Sequence, residues 1–377
     1  MVEGQSATWA VAARGAGALA YQWQRNGIDI GGATGPVYAT PPLAPADSGG
    51  QYRVRVTAGS ASSLSATAPV QVFADAAIPV PQTLSIAPSS AGAGQDSGFG
   101  NHYVARNPAV SSNGLLFVFF PGSGAIPDHY KLIVQAAANN GYAAIGLAYP
   151  NEGTITGACL GSSNADCTRL IRDETLTGNA VSPLVNVSPA NAIRNRLTTL
   201  LALLAQQQPQ AGWGRFVDAG GNLQWALIRV GGHSQGGGTA VHAAKQQAVD
   251  RACFFAAPGD TTDAQRSVAP WVAAAGATAA SRHYGFAHVQ DGIIPNALLL
   301  QEWAALQLDA FGAALSVDSA SPPYGGRHML LTSAPRGNPL TAAGLASHNL
   351  PVVDFFTPMD GGLPRFRRVW QTLCFAP

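Results

Sequence analysis

One stretch restricts this chain more than any other. From Trp225 an apolar, branched run through Leu227, Ile228 and Val230 leads into Gly232-His233-Ser234-Gln235-Gly236, and Thr239 to Lys245 then suits a helix. A chain that passes from strand to helix around one residue has little room. Small residues on both sides let the backbone cross close to itself and leave the Ser234 hydroxyl exposed at the carboxyl end of the strand. The plainer reading is a glycine-rich turn with an incidental serine, and the flanking periodicities weigh against it. Strands alternating with helices build layered α/β domains, so the stretch predicts a parallel sheet around itself.

The surrounding sequence extends that pattern. Leu115 to Phe120 is a continuous apolar run, as expected of a strand buried on both faces, and it ends at Pro121-Gly122-Ser123-Gly124. A helical stretch follows from Tyr130 to Ala138, then a strand from Tyr142 to Tyr149 that ends at Pro150-Asn151. Ala190 to Gln207 places Ile193, Leu197, Leu200, Leu201 and Leu204 on related helical turns. Arg251 to Ala257, Ser281 to His288 and His328 to Thr332 supply further strands, and Asn296 to Phe311 a helix. The prediction is a doubly wound, largely parallel sheet whose site lies beyond the carboxyl ends of its strands.

The first 75 residues read differently. Tyr21-Gln-Trp-Gln-Arg alternates before an Asn26-Gly27 turn signal, and Gln51 to Val56 alternates after a turn at Asp47-Ser48-Gly49. Short strands without helical periodicity predict a small β-sandwich. With Trp23 and Asp47-x-Gly49-x-x-Tyr52 the segment resembles an immunoglobulin-like module. That resemblance implies a buried Trp23 and a Tyr52 hydroxyl bonded to nearby backbone. It also implies a module suited to contact with a surface or polymer. Residues 76–94, with Pro79, Pro81, Pro88 and a Ser/Ala/Gly run, read as a linker, with an edge strand at Thr83 to Ile86 as the alternative.

The remainder, 95–377, resembles the α/β-hydrolase superfamily and a group of secreted bacterial hydrolases within it. The residues that carry the resemblance are Pro121-Gly-Ser-Gly, Tyr149-Pro-Asn, Gly232-His-Ser-Gln-Gly and the late Ser347-His-Asn-Leu-Pro-Val-Val-Asp. It implies an α/β-hydrolase fold and a serine nucleophile at Ser234. Such a serine needs a base to take its proton and a third group to fix that base's tautomer, in the chain order Ser, acid, His. His348, after the last predicted strand and expected in a loop, is the preferred base. His328 opens a strand, at its amino end. Asp291, after the strand that ends at His288, is the preferred acid. Asp260 in Ala257-Pro-Gly-Asp is the alternative, with Asp263 close by. Asp354 follows His348 and reads as a helix cap or loop bond. The backbone N–H groups of Gln235 and Ser123 are the expected oxyanion donors. His233 reads as a residue that packs near the site or bonds a carbonyl.

The expected activity is hydrolysis of carboxylic esters, small or polymeric, with no cofactor. The alternatives are a peptidase or amidase on the same machinery, and a catalytically silent surface-binding protein. Gly153 to Val187 is a polar insertion expected to form a rim, with Arg169, Arg172, Asp173 and Glu174 as ion-pair anchors. Trp213, Trp225, Tyr284, Phe286, Phe355 and Phe356 are candidate apolar walls.

Composition narrows the partners. Charged residues make up 11% of the 377, and 21 basic against 20 acidic residues give a formal charge of +1, which leaves no nucleic-acid footprint. No stretch is apolar enough to predict a membrane span, and the cysteine spacing lacks a zinc signature. The 4 cysteines allow three pairings. Placement favours Cys159–Cys167 and Cys253–Cys374, with four free thiols as the cytosolic alternative. Disulfides and the resemblance together imply a secreted or periplasmic protein, with the signal peptide absent from this chain.

Overall fold

Strand-only patterning in the first part of the chain and alternation in the rest correspond to two compact units in the structure, a computed structural model. It describes all residues except 1, 2, 5, 16, 71, 73, 75–79, 262–266, 337–341 and 377. One unit comprises Met1–Val80 with Ala109–Ser111 and Phe375–Pro377, the other Pro81–Pro108 with Ser112–Cys374.

The first unit is all-β and antiparallel. Its strands are β1 (Thr8–Ala10), β2 (Leu19–Arg25), β3 (Ile28–Asp29), β4 (Val37–Ala39), β5 (Gln51–Ala58), β6 (Ala61–Leu64) and β7 (Ala68–Pro69). One sheet runs β3-β2-β5-β6 with β7 also on β5, and the other is the pair β1-β4. Asn26 and Gly27 both take positive φ, 52° and 84°, as the tight β2–β3 hairpin requires. Trp23 and Val54 are directly paired across β2 and β5 and lie in the core. The Trp23 indole N–H donates to the Gly35 carbonyl at 2.9 Å. Tyr52 departs from expectation. Its ring stacks on Trp9 with centroids 4.3 Å apart, and among the described residues its hydroxyl makes no bond to backbone.

The second unit runs β8 (Gln82–Ile86), α1 (Pro88–Ala91), β9 (His102–Arg106), β10 (Leu116–Phe120), α2 (Lys131–Asn139), β11 (Ala143–Gly146), α3 (Ile155–Cys159), α4 (Cys167–Thr177) and α5 (Ile193–Gln207). It continues with β12 (Ile228–His233), α6 (Gln235–Gln246), β13 (Arg251–Phe255), α7 (Pro270–Ala273), β14 (His283–His288), α8 (Asn296–Ala305), β15 (Leu315–Ser316), β16 (Met329–Thr332), α9 (Ala343–Asn349) and α10 (Arg367–Trp370). β8 to β16 form one mixed sheet in the order β15-β16-β14-β13-β12-β10-β11-β9-β8, and Met359–Asp360 pairs separately with Leu363–Pro364. Pairing is parallel from β15 through to β11, and β9 is antiparallel to both its neighbours.

The sheet is covered on both faces. Leu116, Val118 and Phe120 point with Ile228 and Val230 toward Leu197, Leu200, Leu201 and Leu204 of α5. Phe117 and Phe119 point the other way, and Phe119 meets Tyr130 with ring centroids 5.0 Å apart. Full burial of such side chains contributes about 1.5–3 kcal/mol each.

Two expectations need correction. The linker reading fails at Gln82–Ile86, where the edge-strand alternative holds: this segment forms the sheet edge in register with His102–Arg106. Four of its five residues are exposed, as an edge position allows. His348 sits in a helix, α9, rather than in a loop. The four cysteines pair as Cys159–Cys167 and Cys253–Cys374. No described helix is long and apolar enough to cross a membrane.

Candidate active site

The chain leaves β10 for β11 on one side, then crosses back to β12 on the other. Such a switch opens a crevice at the strand carboxyl ends, and Ser123 and Ser234 follow the ends of β10 and β12. Ser234 has φ 54° and ψ −123°, a conformation that costs a non-glycine residue about 1–3 kcal/mol. The turn tolerates nothing larger around it. A Cβ on Gly232 would lie 2.2 Å from the Gly236 carbonyl oxygen, and one on Gly236 would lie 2.0 Å from the Phe120 oxygen. The strained serine is held by its own N–H, which donates to the Phe255 carbonyl at 2.9 Å.

His348 and Asp291 meet because their segments touch glycine to glycine. The Gly292 N–H donates to the Gly344 carbonyl at 3.2 Å, and a Cβ on Gly292 would come 2.4 Å from Gly344 Cα. His348 Nδ1 then lies 2.7 Å from Asp291 Oδ2, with side-chain exposures of 4% and 0%. The other carboxylate oxygen, Oδ1, accepts from Ile293 and Ile294 N–H at 2.9 Å each, which fixes its orientation. A carboxylate on Nδ1 assigns the hydrogen there and leaves Nε2 as acceptor. The His348 ring is 4.8 Å from that of His233, the neighbour of Ser234. Among the described residues the Ser234 hydroxyl makes no hydrogen bond, and such bonds commonly tighten only with substrate bound.

Asp260 lines the same cavity as Ser234 but pairs with arginine rather than with a histidine. Arg172 grips it through Nε at 2.8 Å and Nη2 at 2.6 Å, and the Trp271 indole donates to it at 3.1 Å. Both partners are almost fully buried. Arg172 Nη1 also donates to the Gln235 carbonyl at 3.0 Å, tying α4 to the start of α6. The N–H groups of Gly259 and Asp260 donate to Glu302, whose carboxyl is pushed well above its ordinary range by burial and by nearby Asp260. Asp263 lies outside the described residues. Asp354 accepts from Lys131 and Leu132 N–H at 2.8 and 3.1 Å, capping α2. His328 is stacked between Phe311 and Tyr284, away from Ser234's strand end, and burial pulls it down to about 4.

The turn after β10 is tightly braced. Asn151 Nδ2 donates to the Gly122 and Ala125 carbonyls at 2.7 and 2.8 Å, and the Tyr149 hydroxyl to Pro121 at 2.8 Å. The Ser123 hydroxyl donates to Gln235 Oε1 at 2.6 Å, so the two expected oxyanion residues are latched together. Among the described residues neither of their backbone N–H groups donates to a protein acceptor. Two unclaimed donors beside a strained serine suit a developing negative charge.

A cavity of about 470 Å³ opens at Ser234, walled by Ile155, Leu160, Pro258, Ile293, Ile294 and Leu298. None of the six aromatic residues singled out as walls lines it: Trp213 and Phe286 are core, and Phe355 is exposed. The insertion supplies its rim through α3, and the Cys159–Cys167 bond joins α3 to α4. Arg172 and Glu174 anchor that segment. Buried Glu174 accepts three backbone N–H groups, from Val181, Ser182 and Val187. A more polar cavity of about 400 Å³ lies beyond Thr154, Ile155 and Gln235, with Asp96, Glu152 and Asn186 among its walls.

Sequence reasoning missed Tyr130 and the Ile293-Ile294 wall, and it named Arg172 as an ion-pair anchor without its partner Asp260. Asn151 was noted only as part of a motif. No group of three or more His, Cys, Asp or Glu among the described residues could hold a metal ion.

No family model and no curated protein matches the chain. Among solved structures it is similar to Sidekick-1 immunoglobulin domains 1–5, at 16% identity and a TM-score of 0.18, covering 33% of this chain and 19% of that one. It is also similar to Sidekick-1 immunoglobulin domains 1–4 (crystal form 1), at 21% identity and a TM-score of 0.18, covering 28% and 39%. The chain thus spans well under half of either, and likeness at this level defines the fold of neither unit.

Proposed function

We propose that this chain is a serine hydrolase of the α/β-hydrolase type that cleaves carboxylic esters. The carrying observation is the 2.7 Å His348–Asp291 pair at the strand end where Ser234 is held in a strained turn. In this reading the Ser234 hydroxyl gives its proton to His348 Nε2 as its oxygen attacks the ester carbonyl. The carbonyl oxygen becomes an oxyanion facing the N–H groups of Gln235 and Ser123. Collapse expels the alcohol, which takes the proton from His348 and leaves an acyl group on Ser234. Water then gives a proton to His348 and attacks the acyl carbon; the bond to Ser234 breaks, the acid is released, and the Ser234 oxygen takes the proton back from His348. Asp291 holds the imidazole in the tautomer that accepts from serine.

The aliphatic wall of the cavity supports an aliphatic acyl group as the preferred substrate. Arg172 and Asp260 face it already neutralised by each other, so they offer an acyl group no unpaired charge. Two disulfides support a secreted or periplasmic setting. The antiparallel sandwich with buried Trp23 supports an immunoglobulin-like reading of the first unit, suited to contact with a surface or polymer.

The test is incubation with a fluorophosphonate probe, peptide mapping of the adduct, and parallel assays on aliphatic ester and matched amide substrates. An adduct on Ser234 with ester turnover is expected. Folded protein that neither labels nor turns over esters would refute the reading.

A further inference from the structure

His233 and Tyr130 are buried inside the site, yet the chemistry above uses neither. His233 Nε2 lies 3.0 Å from the His348 carbonyl oxygen, and Nδ1 lies 3.0 Å from the Tyr130 hydroxyl. A carbonyl oxygen only accepts, so Nε2 carries the ring hydrogen and Nδ1 must accept from Tyr130 O–H. The Tyr130 oxygen accepts in turn from the Gly122 N–H at 3.1 Å. The bonds therefore all run one way, from the Gly122 amide through Tyr130 and His233 to the His348 carbonyl.

The ends of this chain are informative. Gly122 opens the turn that carries the Ser123 donor, and His233 directly precedes Ser234. The His348 carbonyl lies in the last turn of α9, where helix carbonyls lack an intrahelical donor. Both side chains are nearly inaccessible, at 2% and 1% exposure, so water does not compete for their bonds. Burial, with the His348 imidazole nearby, holds His233 well below the usual histidine range, and burial pushes the Tyr130 hydroxyl up. Both shifts favour the neutral forms.

We propose that Tyr130 and His233 are positioning residues, a neutral one-way hydrogen-bonded strut that sets the His348 backbone and the Gly122–Ser123 turn against Ser234. The proposal rests on Ser234 being the nucleophile. It assigns His233 no proton transfer.

Steady-state hydrolysis of p-nitrophenyl butyrate by Tyr130→Phe, His233→Phe, His233→Gln and the double Phe variant tests it. A misplacement of about 1 Å costs on the order of 100-fold in rate, so His233→Phe should lower kcat about 100-fold with KM little changed. Tyr130→Phe removes one bond and should cost about tenfold. His233→Gln can donate to His348 and accept from Tyr130, and should recover most of kcat. The double variant should be no slower than His233→Phe alone, because both changes break one strut. The ring ¹⁵N resonances of His233 in the parent should report the Nε2–H tautomer.

The proposal is overturned if His233→Phe keeps near-parental kcat, if the glutamine variant is as slow as the phenylalanine variant, or if the ring carries its hydrogen on Nδ1. Should His233→Phe fail to fold, Tyr130→Phe and His233→Gln still decide. If the parent itself neither turns over ester nor labels at Ser234, the hydrolase reading has failed, and the tautomer alone decides whether the strut exists.

Discussion

Two buried aspartates near the site should respond in opposite ways to the same change, to asparagine. In Asp291→Asn the amide oxygen can keep the bonds from Ile293 and Ile294 N–H, but the amide nitrogen then faces His348 Nδ1. The imidazole is driven to the tautomer with its hydrogen on Nε2, which cannot accept from serine. Geometry survives while kcat falls on the order of 10⁴-fold. In Asp260→Asn the Arg172 guanidinium, 1% exposed, loses its charge partner with no water to replace it. Removing one member of a buried pair costs about 3–5 kcal/mol. At about 2–4 °C per kcal/mol for a domain of this order, the melting transition of the second unit should drop by roughly 10 °C. Ester hydrolysis at a temperature where both variants are folded, alongside thermal melts followed by circular dichroism, separates the two effects. The reasoning is refuted if Asp260→Asn melts with the parent but loses turnover while Asp291→Asn stays active.

Other outcomes follow from the same geometry. Ser234→Ala should abolish phosphonate labelling and turnover, and Ser234→Gly should melt higher than Ser234→Ala by about 1 kcal/mol, because glycine relieves the positive φ. Gly236→Ala should destabilise by about 3 kcal/mol or more, since its Cβ would lie 2.0 Å from Phe120 oxygen. Gly124, at φ 64° with nothing within 4 Å, should accept alanine at about 1 kcal/mol, measured by urea unfolding. Burial pulls His102 down to about 3 and His283 and His328 to about 4. The unfolded chain takes up these protons first. Their contribution is therefore present above about pH 6.5 and is lost as pH falls below it, at about 1.4 kcal/mol per histidine between pH 7.5 and 5.5. Urea unfolding across that range should show the decline, and a flat profile would contradict it.

What the sequence made legible is what local sterics and period dictate. The strand–serine–helix unit could be placed because its glycines have no alternative, and the apolar runs located the inner strands. The helix cap at Asp354 and the pairing of cysteines were also within reach. What escaped depends on partners far along the chain. Arg172 and Asp260 are 88 residues apart, and Tyr130 and His233 are 103 apart, so no local spacing marks either pair. β8 could be read only as an alternative to linker, because an exposed edge strand buries little apolar surface. Ile293 and Ile294 carry no pattern of their own and line the cavity because Asp291 accepts from both their amides.

The Cys253–Cys374 link joins strand β13 to the end of the second unit across 121 residues. Asp291 and His348 fall inside this covalent ring, and Ser234 falls outside it. A protease that cuts once within the ring opens it without releasing a fragment, so acid and base stay attached to the strand that neighbours the nucleophile's own. Detaching both takes a cut before Asp291 followed by a reductant.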